Sequence, residues 1–95
     1  MSALWIANIE VTDEETYMKY VAISSEAVAA FGGVFLARAG RHKQLEGNDR
    51  ARNVVARFPT FEDAVNCYNS PRYQEALKFS SVSSKRDLVV VEEVE

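Results

Sequence analysis

Residues 4–39 read LWIANIEVTDEETYMKYVAISSEAVAAFGGVFLARA, and the reading of this stretch decides the fold. From Leu4 to Val11 β-forming residues alternate, with Trp5, Ala7, Ile9 and Val11 on one face and Leu4, Ile6, Asn8 and Glu10 on the other. That is the two-residue period of a strand. Thr12 stands three residues before Glu15, the spacing at which a hydroxyl and a carboxylate cap each other's backbone donors, so a helix begins there and runs to about Phe31. Tyr17, Tyr20, Val21, Ser24, Val28 and Phe31 recur at helical spacing and form its inner stripe. Gly32 and Gly33 close the helix, and Val34–Ala39 reads as a second strand with Val34, Leu36 and Arg38 sharing a face.

Working outward, the polar stretch from Gly40 to Ala51 is a long hairpin connection, and Asn53–Phe58 is a third strand ended by Pro59. Thr60, three residues ahead of Asp63, caps a second helix, and Ser70 before Pro71 starts a third. The serine-rich residues 80–84 read as a loop, and Leu88–Val94 supplies a final strand dominated by valine. The order strand, helix, strand, strand, helix pair, strand predicts an α+β, ferredoxin-like βαββαβ domain spanning residues 1–95. Its four-stranded antiparallel sheet carries helices on one face. The other face would hold Leu4, Ile6, Val34 or Phe35, and two of the residues 88–91, an area too apolar to leave wet. A second copy packed on that face, giving a homodimer, is the expected cover.

Composition narrows the function classes. At 95 residues, with 47% hydrophobic and 26% charged residues, the chain has a globular balance and room for one core. A net charge of −3 argues against nucleic acid, and the third strand lacks the aromatic residues that RNA-binding sheets use. No apolar run spans a bilayer and no basic-then-apolar leader is present, so the expected location is cytoplasmic, with no membrane partner. One histidine and the lone Cys67 give no metal cluster, and no glycine-rich phosphate loop announces a cofactor, so the expected set of cofactors and metals is empty. Cys67 reads as helix filler, without a neighbouring base to activate it.

The candidate chemistry rests on a few side chains. Arg38 closes an apolar strand, where it would clamp a carboxylate or an enolate oxygen, or else pair with Glu10, Glu46 or a partner's carboxylate. Arg57 poses the same choice, and two arginines on one sheet face would matter more than either alone. His42 is the chain's single imidazole, suited to proton transfer and the one such group open to haem iron, although Arg41 and Lys43 beside it suit a solvated loop. His42 and Arg38 are thus the catalytic candidates. Tyr68, Ser70 and Tyr73 form a hydroxyl cluster that would orient a ligand, with capping and core packing as the competing roles. Asn8, an amide in mid-strand, would hold a substrate oxygen if it lines a pocket. Asp87 reads as a local ion-pair partner of Arg86.

The set of motifs resembles a known family. Val11-Thr12-Asp13, Tyr17 with Tyr20, Gly32 through Arg38, Arg57-Phe58-Pro59, Tyr68 through Tyr73, and Arg86 through Glu92 together are similar to a bacterial family of small uncharacterised proteins in the dimeric α/β-barrel superfamily. Glu14 departs from the pattern, in which a proline commonly follows the aspartate. The resemblance implies the fold and the dimer. Superfamily relatives include cofactor-free monooxygenases, haem-degrading enzymes, lactone isomerases, dehalogenating enzymes and decarboxylases, so fold alone does not select a reaction. Whether the chain is an enzyme stays open. The expectation is a protein that binds or transforms a small apolar or aromatic carboxylate or ketone without a bound cofactor. The alternative is a non-catalytic dimer, a structural or stress-related binding module.

Overall fold

The structure, a computed structural model, describes residues 1–94 and places them in the order β1 (Ala3–Val11), α1 (Glu14–Ala30), β2 (Val34–Arg38), β3 (Arg52–Phe58), α2 (Phe61–Asn69), α3 (Pro71–Ser83) and β4 (Ser84–Glu92). The strands form one antiparallel sheet in the order β2-β3-β1-β4, and the ferredoxin-like arrangement is as the sequence predicts. The extents, 35 × 34 × 17 Å, are those of one sheet layer and one helix layer. Among the described residues no helix is long and apolar enough to cross a membrane.

Alternation along β1 sends Ala3, Trp5, Ala7 and Ile9 into the core, where they meet Val54, Ala56 and Phe58 from β3 and Tyr17, Tyr20, Ala27 and Val28 from α1. An aromatic chain organises this core. Trp5 lies 5.5 Å from Phe58 and 5.1 Å from Tyr73, and Tyr73 lies 5.9 Å from Tyr20. Gly33 follows the helix end because a Cβ there would fall 2.6 Å from Val28 and 2.8 Å from Phe58, so the close approach of α1 to β3 excludes any side chain. Gly32, at φ 82, supplies the left-handed residue that turns the chain into β2.

Three local expectations are corrected. The cap of α1 is Asp13 rather than Thr12: its carboxylate accepts from the Thr16 amide at 3.3 Å and from the Thr16 hydroxyl at 2.7 Å, which holds it below the usual carboxylate range. Thr12 is occupied elsewhere, since the Thr12 and Asp13 amides both donate to the Ser83 carbonyl and so close the end of α3. Residues 80–83 are helical and β4 starts at once at Ser84, four residues earlier than predicted. Serine hydroxyls bond back onto the helix, Ser83 to the Phe79 carbonyl at 2.6 Å and Ser84 to that of Ser80 at 2.7 Å, so tertiary packing against α1 and these bonds overcome a weak intrinsic preference. The third correction concerns β2. A bulge between Phe35 and Ala37 shifts its register, so Arg38 opposite Val54 shares a face with Phe35 opposite Ala56 instead of with Val34.

On the helix-free face the rows are Val34-Arg57-Leu4-Val91 and Ala37-Val55-Ile6-Val89, with Val34, Val89 and Val91 exposed. Phe35, the alternative to Val34 for this face, packs against the core instead.

Candidate functional site

Strand register gathers three guanidinium groups on the helix-covered face. One row runs Arg52-Ile9-Arg86 across β3, β1 and β4, and the next runs Arg38-Val54-Ala7-Leu88. Among the described residues none of the three has a carboxylate within ion-pairing distance, whereas Arg50, Arg57 and Arg72 each do. Above them α1 supplies Tyr17 and Tyr20, three residues apart and therefore on one helix face. Their rings lie 5.0 Å apart, with Arg52 5.6 Å from the Tyr17 ring and Arg86 4.4 Å from the Tyr20 ring, so a cation sits against each aromatic face.

A polar trio joins this stack to α3. The Tyr20 and Tyr73 hydroxyls are 2.6 Å apart, and Arg86 Nη2 donates to both, at 2.8 and 3.1 Å. A guanidinium only donates, and one O–H joins the two phenols, so the second phenolic proton has no acceptor within the trio. Burial pushes the Tyr73 hydroxyl far above the ordinary tyrosine range and moves Tyr17 in the same direction, with the Arg86 charge opposing both. Burial also works against the charge of Arg86, but the surrounding tyrosine oxygens outweigh it and the guanidinium stays protonated. The trio is a fixed cation flanked by neutral hydroxyls, an arrangement that stabilises negative charge on a ligand oxygen.

Arg86 opens onto a groove of about 580 Å³ between α2, α3 and β4. Its walls are apolar at Val65, Leu77, Leu88 and Val90 and polar at Tyr68, Ser80 and Arg86. Tyr68 is partly exposed, 6.2 Å from Trp5 and 5.3 Å from Tyr73. On the other side of Arg86, beneath α1, is a void of about 30 Å³ lined by Tyr17, Arg38, Arg52 and Arg86 among others.

The residues singled out in the sequence scatter around this centre. Tyr73 lies within it, Tyr68 lines the groove, and Arg38 lines the small void, bonding Ser25 at 2.5 Å and stacking 4.2 Å from Phe35. Ser70 caps α3, accepting from the Tyr73 amide at 3.2 Å and donating to the Cys67 carbonyl at 2.7 Å, and so sets where Tyr73 stands. Asn8 and Arg57 are on the opposite, helix-free face. Asn8 is exposed there and its carbonyl accepts from Arg50, while Arg57 grips Glu93 at 2.5 and 3.3 Å. The Glu93 bond raises Arg57 and lowers Glu93 from their ordinary values. His42 lies in the exposed loop between β2 and β3, 3.2 Å from Asp49. Cys67 is buried, and burial pushes its thiol up to about 11, away from the range of a nucleophile.

Arg86, Arg52, Tyr17 and Tyr20 carry the centre, yet none was a candidate from sequence. Asp87 does not pair with its neighbour Arg86, because alternation sends the two to opposite faces and Asp87 meets Arg50 at 3.1 Å. The usable signal was parity: Arg86 stands two and four residues before Leu88 and Val90, so all three face the helices.

The fold has known counterparts. A protein of unknown function from Rhodopseudomonas palustris superposes with a TM-score of 0.82 at 16% identity, covering 99% of this chain and 83% of that one. SnoaB, a cofactor-independent oxygenase from Streptomyces nogalater, gives a TM-score of 0.66 at 13% identity, over 99% of this chain and 94% of its own. A dimeric ferredoxin-like protein of unknown function from Thermobifida fusca gives 0.66 at 18% identity, over 98% and 92%. At these identities the likeness is one of fold. No curated protein matches the sequence significantly. A family profile does match, over residues 2–94, and the chain accordingly belongs to the family described as Domain of unknown function (DUF1330).

Proposed function

We propose that the chain is a homodimer whose protomers each bind a small apolar or aromatic carboxylate or ketone in the groove between α2, α3 and β4, and transform it without a bound cofactor. The observation that carries this reading is Arg86, a half-buried, protonated guanidinium with no carboxylate partner among the described residues, set in a groove whose other walls are mostly apolar. Its hydrogen-bond partners are neutral phenols, so a ligand carboxylate or ketone oxygen would supply the stronger, charge-assisted acceptor it lacks. Tyr20 and Tyr73 are positioning residues: they hold one amino group of Arg86, while the aliphatic and aromatic walls take the body of the ligand. Negative charge that develops on a ketone oxygen, as in enolate formation, would be stabilised by the same guanidinium. SnoaB supports chemistry of this kind on this fold, being a cofactor-independent oxygenase. The dimer is supported by the exposed row of valines on the helix-free face and by fold neighbours described as dimeric.

The test is a thermal-shift screen of aromatic carboxylates, quinols and cyclic ketones on wild-type protein and on Arg86→Met. Ligands that bind the native state raise its melting temperature in wild type and lose the effect in the variant. A screen without a hit, or hits that Arg86→Met leaves unchanged, overturns the reading. Light scattering should give twice the chain mass of 10.6 kDa, and a value of one chain mass overturns the dimer.

A further inference from the structure

The small void beneath α1 has a chemistry that the groove does not explain. Three buried polar atoms among the described residues, Tyr17 Oη, Arg52 Nε and Arg86 Nε, make no hydrogen bond of good geometry, and all three residues line this one void; Arg52 stands near enough to the Tyr17 oxygen to donate to it, which leaves the phenolic proton without an acceptor. Tyr17 is only 1% exposed. Unpartnered groups in a native interior are rare, and the convergence of three on one space points to a site for an acceptor. The two guanidinium nitrogens can only donate, and the phenol has a proton to place, so the occupant must accept.

Size and charge then select its class. A volume of about 30 Å³ holds one or two water-sized bodies and no organic ligand. The lining includes Arg38, Arg52 and Arg86 and no carboxylate residue. Arg52 and Arg86 flank Ile9 on neighbouring strands, roughly 10 Å apart by two strand spacings. Their repulsion is weakly screened in the interior, and a negative charge between them relieves it. A water molecule would bring two further protons to a place already crowded with donors, whereas a halide brings none.

We propose that the void binds a single halide-sized inorganic anion, chloride or its equivalent, held by the Tyr17 hydroxyl, Arg52 and the free edge of Arg86. The anion locks the Arg52-Tyr17-Tyr20-Arg86 stack and thereby fixes Arg86 for the groove on its other side, so it acts as a structural ion of the site. Arg38, which donates to Ser25, also lines the void and is exposed to solvent.

The experiment uses the full chain, dialysed into halide-free buffer and titrated with sodium bromide or chloride against sodium gluconate at equal ionic strength. The expected result is a saturable rise in melting temperature of about 5 °C with halide over gluconate. That rise is lost in Tyr17→Phe and in Arg52→Met and kept in Arg57→Met. Crystals grown with bromide should show one anomalous peak within hydrogen-bonding reach of Tyr17 Oη. Equal melting temperatures in halide and gluconate, a void without an anomalous peak, or a halide effect unchanged by both void variants would each overturn the proposal. Tyr17 and Arg52 do not line the groove, so a failure here is separable from a failure of organic ligand binding, which Arg86→Met reads.

Discussion

On the helix-free face of the sheet Arg57 grips Glu93, and Arg50 reaches from its loop to Asp87, so both arginines are matched there, beside an exposed apolar row. On the helix-covered face Arg38, Arg52 and Arg86 face tyrosines, a serine and a phenylalanine, with no anion among the described residues. Both faces belong to the same strands. The difference is one of partners: the matched arginines find carboxylates within the chain, whereas the other three meet only hydroxyl groups and aromatic rings among the described residues. Neighbouring residues enforce the division: Arg86 and Asp87 are adjacent in the chain and serve opposite faces.

The largest effect expected from breaking this comparison is at Val89. It is 54% exposed in the single chain, so Val89→Asp leaves the protomer folded, but it sets a carboxylate in an apolar contact at a cost on the order of several kcal/mol. Light scattering should fall from twice the chain mass to 10.6 kDa while far-ultraviolet circular dichroism stays unchanged. A variant that stays dimeric would place the contact elsewhere.

Second in size is the contrast between Arg86→Met and Arg57→Met. Loss of a charged hydrogen bond to the ligand weakens binding by about 10- to 100-fold in Arg86→Met and not at all in Arg57→Met, measured by calorimetry with a hit from the screen. In halide-free buffer without ligand, Arg86→Met should unfold close to the wild-type denaturant concentration, because the half-buried guanidinium has only neutral hydroxyl partners and the Tyr20–Tyr73 bond is spared. A strongly destabilised Arg86→Met would mark the arginine as structural.

Third, the two faces should fail at opposite ends of the pH scale. Tyr17 and Tyr73 are shifted upward from 10.0 in the fold, chiefly by burial, so their contribution is intact below that value. It is lost as pH rises above it, since the unfolded chain ionises first. Glu93 is shifted downward from 4.5, chiefly by its bond to Arg57, so its contribution is present above that value and fades as pH falls below it. Urea midpoints across pH should show the alkaline loss reduced in Tyr17→Phe and the acid loss reduced in Arg57→Met. The smallest expected effect is Arg57→Met at neutral pH, a barely measurable change in urea midpoint, because the pair is solvated and screened by salt.

Much of the fold was legible without coordinates. The two-residue period of β1, the helical stripe of α1, the glycine pair after it and the Thr60 and Ser70 caps each carry a local rule. The candidate site was legible only in fragments. Tyr73, Tyr68 and Arg38 were singled out and do line or build the two cavities, while His42, Asn8 and Arg57 lie away from them. The sequence could say that Arg86 shares parity with Leu88 and Val90. It could not say that Arg52 arrives beside it, because the two meet only through pairing with Ile9 across residues 43 and 77 positions away. Nor could it place Arg38, whose face depends on a bulge that no residue pattern announces.

What the sequence by itself determined was therefore governed by short-range periodicity: the order of the elements, the apolar sides of β1 and α1, and an apolar stretch on the helix-free face. Tertiary structure alone decided which guanidinium groups would find carboxylates. Strand register is a long-range choice made by the whole core, and it set Arg52 and Arg86 against Tyr17 and Tyr20 and Arg38 against Phe35, with no carboxylate of the described residues in ion-pairing distance of the three.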